Sequence, residues 1–289
     1  MDLPEINSDT VILTFTDSKY LPIFDIWYSY FNKLNLTNLL VVSLDRTTYD
    51  KLVGRNIRTI LREFTIVGKA TLWVFRLNII IDLFNKYKKN ILHSDSDCLW
   101  FKDIYNAIRD LPYDFIGSND IGCQFRYNDK SPLVICCGLY YVKYNDRIID
   151  FHEKIIEQIN LGVDTDDQIL FNKYFLKNMV SKTNIESDII AKEFSLANNM
   201  KLGLIKLELI SRYYYNDKLY CYHPVLNKKR IRGKIRQLYF LMKNDKCERT
   251  WCQYKRHSNP YLCGGTHCCV WCKLGDSRRH GNLCEKYYA

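Results

Sequence analysis

Two aspartates that stand between two apolar segments constrain the fold of this chain more than any other feature. Residues 88–103 read KKNILHSDSDCLWFKD, so an Ile-Leu pair precedes Asp95 and Asp97, and a second apolar run begins directly at Cys98. Residues i and i+2 of an extended chain point the same way, so both carboxylates can face one spot. Two ionised carboxylates that close repel each other, and each raises the pKa of the other unless a cation lies between them. The pattern is typical either of a solvated loop or of a site for Mg²⁺ or Mn²⁺, which prefer oxygen ligands.

Strand-like and helix-like segments alternate along the first part of the chain. Short apolar or β-branched runs predict strands at residues 10–16, 39–44, 90–95, 114–119 and 133–144. Apolar residues at helical spacing predict helices at residues 21–34, 68–87, 147–160 and from 166 onward. The alternation predicts an α/β architecture with a largely parallel sheet that helices cover on both faces. Ligands of such sheets bind beyond the carboxyl ends of the strands, which is where Asp95 and Asp97 lie.

The last quarter of the chain differs from the rest in charge and in cysteine content. Residues 218–289 contain sixteen Lys or Arg and four Asp or Glu, a net charge of +12, whereas residues 1–217 have a net charge of −2. Seven of the twelve cysteines lie between Cys247 and Cys284. Both shifts predict a main domain at residues 1–245 and a basic, Cys-rich tail at residues 246–289.

The cysteine spacing of this tail is typical of metal ligands. Four residues separate Cys263 from Cys268, and two separate Cys269 from Cys272. In a cytosolic protein we expect these cysteines to bind Zn²⁺, with disulfides or free thiols as alternatives. The basic and aromatic residues of the tail also fit nucleic-acid binding through phosphate contacts and stacking. Alternatively, the tail packs on the main domain or docks a partner.

No stretch of the sequence has the pattern of a secretion signal or a membrane span. The first residues, MDLPEINSDTVILTF, are acidic where a signal peptide is basic, and no run approaches the ~20 apolar residues that a bilayer requires. We therefore expect a soluble, intracellular protein located in the cytoplasm. Heavy use of Ile, Asn, Lys and Tyr is typical of an AT-rich genome, which favours a large DNA virus, and hence a host's cytoplasm, or a unicellular organism.

Six stretches in a fixed order resemble those of one enzyme family. They are GKATLWVFRLNIIIDLF, ILHSDSDCLWFKD, YDFIGSND, CCGLYYVK, DTDDQILFN and YHPVLNKKRIRGK. Over residues 10–240 the chain resembles the nucleotide-diphospho-sugar transferases, which are glycosyltransferases with the A-type fold and a DxD motif. The resemblance implies an α/β fold with a mostly parallel central sheet flanked by helices, here with a small Cys-rich carboxyl-terminal appendage. It also implies metal-dependent transfer of a hexose, with retention, from a nucleotide sugar such as a UDP-hexose to a glycan or protein hydroxyl.

The resemblance assigns metal and diphosphate ligands. Asp97 is expected to bind Mn²⁺ or Mg²⁺ directly, and Asp95 either shares the metal or reaches the ribose. His223 is expected to be the third protein ligand, against the alternative of a surface histidine before a proline. Lys234 matches the family's phosphate lysine, and Gly233 would let the backbone come close to the ligand.

Further residues are assigned to the sugar and the nucleotide. Asp167 and Gln168 are placed beside the sugar as the catalytic pair, although DTDDQ also suits a helix cap and leaves Asp166 as an alternative. Contacts with the base and ribose are expected from Thr14, Thr16 and Asp17. Contacts with the nucleotide are expected from Lys69 and Arg76, and Gly138 is expected on the acceptor side.

Other reactive side chains receive structural interpretations, and two rival functions stay open. Cys136 and Cys137 stand where the family commonly has a polar residue, and they are interpreted as core thiols. His93 and His152 have no paired motif and are assigned to the core or surface. The rivals are a zinc-stapled nucleic-acid-binding protein with a non-catalytic α/β domain, and a pseudo-enzyme that binds nucleotide sugar as a scaffold.

Overall fold

The structure is a computed structural model that describes residues 8–65, 68–119, 133–211, 218–223, 231 and 234–235 of the chain, without the side chains of residues 69 and 211. Twelve strands fall in these ranges: β1 (Thr10–Thr16), β2 (Leu39–Ser43), β3 (Thr59–Leu61), β4 (Asn90–Ser94), β5 (Leu99–Trp100), β6 (Phe115–Asn119), β7 (Ile135–Val142), β8 (Met179–Asn184), β9 (Ile190–Leu196), β10 (Lys201–Ile205), β11 (Ile210–Ser211) and β12 (Cys221–Tyr222). The helices are α1 (Leu21–Phe31), continued by a 3₁₀ turn (Asn32–Leu34), α2 (Arg46–Val53), α3 (Lys69–Tyr87), α4 (Ile104–Ile108), α5 (Asp146–Asn160) and α6 (Asp167–Asn178).

Nine of these strands form one sheet in the order β3-β2-β1-β4-β7-β6-β10-β9-β8. The pairings β3–β2, β2–β1, β1–β4 and β6–β10 are parallel. The other four pairings, β4–β7, β7–β6, β10–β9 and β9–β8, are antiparallel. The sheet is therefore mixed, and the prediction of a mostly parallel sheet is wrong for its second half. Short turns join β8, β9 and β10, and only antiparallel strands can be joined in that way.

Helices cover both faces of the sheet, as the sequence predicts. Side chains of β1 alternate between two apolar clusters, with Ile12 in one and Leu13 in the other. The first cluster includes Trp27 of α1, and the second includes Phe151 of α5 and Phe171 of α6. A strand buried on both faces needs apolar residues at successive positions, which is what the TVILTFT and LLVVS segments supply. Within the described ranges, no helix is both long and apolar enough to cross a membrane.

A second, three-stranded sheet brings a late part of the chain to the end of β4. Its order is β11-β12-β5, and β12 runs antiparallel to β5 with Cys221 opposite Trp100 and Tyr222 opposite Leu99. Strand β5 begins two residues after Asp97, and His223 directly follows β12. This pairing therefore carries His223 back to the pair of aspartates.

Candidate active site

The two aspartates lie in a tight turn at the carboxyl end of β4. The backbone N–H of Asp95 donates to the carbonyl of Gly138 at 2.7 Å, and the N–H of Cys98 donates to the carbonyl of Asp95 at 2.9 Å. The side chain of Asp97 is 9% exposed, whereas that of Asp95 is 33% exposed. The turn thus holds one buried and one accessible carboxylate at the sheet edge, where the sequence predicts them.

Two groups of side chains surround these carboxylates. We call one the Asp97 group; its members are Asp97, Tyr20, His223 and Lys234. We call the other the Asp95 group; its members are Asp95, Arg76, His93 and Asp167.

The Asp97 group joins three distant parts of the chain. Nε2 of His223 lies 3.2 Å from Oδ1 of Asp97, while the Tyr20 hydroxyl and the Lys234 ammonium donate to Oδ2 at 3.0 and 3.1 Å. Lys234 also contacts the Tyr20 hydroxyl. Burial alone would raise the pKa of Asp97, but the hydrogen bond from His223 and the charge of Lys234 outweigh it and lower that pKa below its ordinary value. Asp97 is therefore held as a carboxylate.

Three ligand atoms of the site lie close enough to share one metal ion. Among the described residues, Asp95, Asp97 and His223 form a group whose potential ligand atoms all lie within 4.8 Å of one another. His223 Nε2 is 3.2 Å from Asp97 Oδ1 and 3.7 Å from Asp95 Oδ2. Neighbouring ligands of an octahedral ion at about 2.1 Å are separated by about 3 Å, so little movement is needed. Two carboxylates and an imidazole fit Mn²⁺ or Mg²⁺.

Gly138 lies directly against the imidazole of His223. A Cβ atom built on Gly138 would be 2.0 Å from Cε1 of that ring, a distance at which no side chain fits. Only glycine at this position leaves room for the imidazole. The structure thus gives Gly138 a packing role, and the expected contact with a substrate stays a prediction.

The Asp95 group is centred on a buried arginine of α3. Arg76 is 4% exposed, lies 4.4 Å from the ring centre of Trp73, and forms ion pairs with Asp167 and, at 3.3 Å, with Oδ1 of Asp95. Burial raises the pKa of Asp167 above its ordinary value, and the charge of Arg76 opposes that shift. Burial acts in the same direction on Asp95, but the contacts from His93 and Arg76 lower its pKa overall. One guanidinium therefore compensates two carboxylates.

Helix α6 begins with the predicted catalytic pair, Asp167 and Gln168. The neighbouring Asp166 and Asp167 make different contacts. Asp166 is the N-cap residue, and its side chain accepts from the N–H of Gln168 at 3.1 Å. Asp167 instead pairs with Arg76, so the structure divides the roles that the sequence leaves open. Oε1 of Gln168 accepts from the N–H of Cys137 on β7 at 3.2 Å, which ties the helix start to the sheet.

The residues predicted to contact the base and ribose lie at the end of β1. Thr14 and Thr16 are 0% and 2% exposed, and their hydroxyls have no hydrogen-bond partner among the described residues. Oδ1 of Asp17 accepts from the N–H of Tyr20 at 2.7 Å and so holds the turn into α1. Their contacts with a nucleotide stay predictions.

Some predictions fall on parts of the chain that the structure does not describe. Gly233, the side chain of Lys69 and the whole tail, with its expected Zn²⁺ and nucleic-acid binding, lie outside the described residues. The domain boundary at residue 245 stays a prediction for the same reason.

Three site residues are missing from the sequence-based assignment. His93, assigned to the core or surface, is buried, and its Nε2 lies 3.2 Å from Oδ1 of Asp95. Its position two residues before Asp95 on one strand face was the available signal. Tyr20 follows Asp17 in the loop after β1, at the same sheet edge. Cys136 is buried like Cys137, as predicted, but its Sγ also lies 3.3 Å from Nδ1 of His223.

His152 belongs to the core, which confirms one of its two sequence-based alternatives. It is fully buried among the aromatic rings of Phe84, Phe151 and Phe171. Burial lowers its pKa to about 4, so the ring is neutral at pH 7.

Comparisons with known proteins give a family match and a curated relative. A family model described as nucleotide-diphospho-sugar transferase matches residues 34–248. A UDP-galactose:fucoside alpha-3-galactosyltransferase of Dictyostelium discoideum is 29% identical over 137 residues, which are 46% of this chain and 19% of that protein. The chain thus spans a small part of the length of this relative.

Solved structures with a similar fold include two glycosyltransferases. One is involved in glycosylation of the major capsid of PBCV-1, with 10% identity, a TM-score of 0.48, and coverage of 80% of this chain and 98% of the other. The second is mouse xyloside xylosyltransferase 1, with 11% identity, a TM-score of 0.46, and coverage of 75% and 98%.

Proposed function

We propose that this chain, which belongs to the nucleotide-diphospho-sugar transferase family, is a glycosyltransferase that uses a nucleotide-sugar donor and acts as a metal-dependent, retaining hexosyltransferase. The donor is a UDP-hexose, and the acceptor is a hydroxyl of a glycan or protein. The α/β class and the A-type fold that the resemblance implies are confirmed, with the mixed sheet described above.

One observation carries the metal dependence. The ligand atoms of Asp95, Asp97 and His223 converge from two separate parts of the chain onto one spot at the sheet edge. A divalent cation bound there would neutralise the diphosphate and favour its departure as the leaving group. Asp97 is held ionised before any ligand arrives, so the chain presents a ligand in its binding form.

The Asp97 group also offers a protein cation to the leaving group. The ammonium of Lys234 lies 3.1 Å from Asp97 Oδ2, and its side chain is 22% exposed. An ammonium at this distance from the metal ligands is placed to bind a phosphate oxygen of the donor. The Tyr20 hydroxyl, which contacts both Lys234 and Asp97, orients the pair.

The Asp95 group supports the sugar side of the reaction. Arg76 fixes Asp167 and Asp95 next to each other, and Gln168 is anchored to β7. In this proposal Asp167 and the Gln168 side chain bind the hydroxyls of the hexose and orient its anomeric carbon toward the acceptor. Positive charge that develops on the sugar ring is stabilised by the carboxylates nearby.

The choice of a UDP-hexose is supported by the Dictyostelium relative, a UDP-galactose:fucoside alpha-3-galactosyltransferase. The choice of a retaining outcome follows from the family resemblance of the motifs. Neither choice depends on the tail.

A donor screen followed by product analysis tests the proposal. Thermal shifts are measured with UDP, GDP and their hexoses, with and without Mn²⁺, and donor hydrolysis is then measured with the best donor. We expect stabilisation by UDP that requires Mn²⁺, hydrolysis that stops on chelation, and a released sugar that keeps the donor's anomeric configuration in its first-formed form. Undiminished hydrolysis in the presence of excess chelator would contradict the metal site.

A further inference from the structure

The imidazole of His223 faces a different partner at each of its two nitrogen atoms. Nε2 lies 3.2 Å from the carboxylate of Asp97, and Nδ1 lies 3.3 Å from Sγ of Cys136. Cys136 is 1% exposed and His223 is 7% exposed, so bulk water does not compete for the contact between sulfur and nitrogen. The side of the ring that faces away from the metal site is thus covered by a thiol.

We propose that Cys136 is a positioning residue, whose thiol holds the His223 imidazole so that Nε2, and not Nδ1, is the ligand atom for the metal. The inference rests on the metal site of the proposed function and adds to it a residue that determines the orientation of one ligand. Histidine ligands are commonly fixed in this way, by a hydrogen bond from the ring nitrogen that does not bind the metal.

The hydrogen-bonding capacity of a thiol suits both states of this histidine. Without a cation, the Asp97 carboxylate can only accept, so Nε2 carries the hydrogen and Nδ1 accepts from the thiol S–H. When Nε2 is a metal ligand it carries no hydrogen, so Nδ1 carries it and donates to Sγ. A group that only accepts, such as a carbonyl, would satisfy only the second state and would leave Nδ1 unpaired in the first.

Strand β7 supplies both surfaces that fix the ring. Cys136 and Gly138 are two residues apart on this strand, so both face the same side, toward His223. Gly138 lies under the ring, where any Cβ would collide with it, and Cys136 lies at its Nδ1 edge. Cys137 faces the other side of the sheet and packs in the second apolar cluster. Three successive residues of β7 therefore have different roles: Cys136 contacts His223, Cys137 packs in the core, and Gly138 leaves space for the imidazole.

Metal affinity without nucleotide tests this role directly. The free Mn²⁺ signal is followed by electron paramagnetic resonance during titration of full-length wild type, Cys136→Ala, Cys136→Ser and Cys137→Ala, with melting temperatures as the check on folding. Removal of an outer hydrogen-bond partner typically weakens metal binding at least about tenfold, which is the loss expected for Cys136→Ala. We expect Cys136→Ser to stay within about threefold of wild type, because a hydroxyl also donates and accepts. Cys137→Ala, which removes a buried thiol on the opposite face, is expected to bind Mn²⁺ like wild type.

A second measurement determines which nitrogen of His223 binds the metal in the wild-type protein. In protein labelled with ¹⁵N at histidine, the His223 resonances are identified by their loss in His223→Asn, and Zn²⁺ serves as a diamagnetic probe. The expected spectrum has Nε2 as the metal ligand and Nδ1 protonated. Nδ1 as the ligand would overturn the inference even if Cys136→Ala failed to fold.

The outcomes separate this inference from the proposed function. Wild-type affinity for Mn²⁺ in a folded Cys136→Ala variant would overturn the role of Cys136 and leave the metal site intact. Absence of Mn²⁺ binding by wild type, with or without UDP, would overturn the metal site and the role of Cys136 with it.

Discussion

The Asp97 group and the Asp95 group differ in how far apart their members lie along the chain. Tyr20, His223 and Lys234 come from positions 77, 126 and 137 residues away from Asp97. In the Asp95 group, Arg76 and His93 are only 19 and 2 residues away from Asp95, on the neighbouring elements α3 and β4. One group is assembled across the whole domain, and the other is built mainly into one helix and strand.

The Lys234–Asp97 ion pair and the Arg76–Asp167 ion pair also differ in access to solvent. The Lys234 side chain is 22% exposed, whereas the side chains of Arg76 and Asp167 are 5% and 3% exposed. A partly exposed lysine can exchange its carboxylate partner for a phosphate at low cost, while breaking a buried ion pair is expensive. We therefore expect the Lys234–Asp97 pair to change partners when ligands bind, and the Arg76–Asp167 pair to keep its arrangement.

The largest expected effect is that of Asp97→Asn on metal binding and transfer. The amide has no charge and offers one oxygen, so we expect Mn²⁺ affinity to fall more than about 100-fold, beyond the loss typical of outer-shell changes. Donor hydrolysis, measured as UDP release, should fall to background at a temperature at which the melting curve shows that the variant is folded. Asp110→Asn is the matched control, because that side chain is 85% exposed beside Arg109. Substantial Mn²⁺-dependent hydrolysis of the donor by Asp97→Asn would show that Asp97 is not a required metal ligand.

The second expected effect is a loss of stability in Arg76→Met. Asp95 and Asp167 lose their shared cation, and removal of one partner from a buried pair costs about 3–5 kcal/mol of unfolding free energy. Urea denaturation at pH 7.5 measures this loss, and Lys234→Met, which breaks a partly exposed pair, is expected to cost less than about 1 kcal/mol.

Acidification should reduce the loss in Arg76→Met. Burial already raises the pKa of Asp167, and without Arg76 nothing opposes that shift. A carboxyl whose pKa is higher in the folded than in the unfolded state binds more protons when folded, so stability relative to wild type rises as pH falls toward about 4. Asp167→Asn in the Arg76→Met background should restore part of the stability at pH 7.5. A pH-independent difference between Arg76→Met and wild type would contradict this assignment.

Lys234→Met should have opposite effects on two ligands, both smaller than those above. Loss of an ammonium that competes for Asp97 is expected to tighten Mn²⁺ binding in the absence of nucleotide by about threefold, given the modest strength of partly exposed pairs. Loss of a charge-assisted bond to phosphate is expected to weaken UDP binding in the presence of Mn²⁺ about tenfold. Calorimetric titrations measure both, with Lys154→Met, whose ammonium pairs with Asp150 on the exposed face of α5, as the control. Changes of the same sign for both ligands would show that Lys234 does not exchange partners.

The smallest expected effect is that of Tyr20→Phe on stability. It removes one hydrogen bond to Asp97 Oδ2, and such a bond contributes about 1 kcal/mol. Tyr49→Phe on α2 is the control, with an expected change within about 0.5 kcal/mol, as for other surface substitutions. A Tyr20→Phe change as small as that of the control would remove Tyr20 from the Asp97 group.

The sequence predicts those parts of the fold whose signals are local. The strand before Asp95 and the helix at residues 68–87 have continuous apolar or periodic patterns, and the structure contains both as β4 and α3. Strand β8 escaped prediction because it lies at the sheet edge with most residues exposed, so its sequence, MVSKTN, has no apolar alternation. Strand direction was also missed, because β7 lies antiparallel to both β4 and β6, and β9 lies antiparallel to both β8 and β10, and no local sequence pattern encodes direction.

The candidate site was predictable only where a motif marks it. Asp95, Asp97 and His223 stand in recognisable segments, and their convergence agrees with the role that the motifs suggest. Tyr20 and Cys136 reach the site through contacts with residues 77 and 87 positions away, which no local pattern encodes. The division of roles between Asp166 and Asp167 likewise required the position of Arg76.

Along the chain, the main sheet is complete before the candidate site is, because His223 reaches the site only through the pairing of β12 with β5. All nine strands of the main sheet precede Lys206, whereas His223 arrives only after β12 has joined β5. During synthesis the scaffold can therefore form while its ion-binding triad is still short of one member. A product truncated between these two points would contain all nine strands of the main sheet yet lack His223, so the proposed metal triad is completed only by a part of the chain that is synthesised after this scaffold.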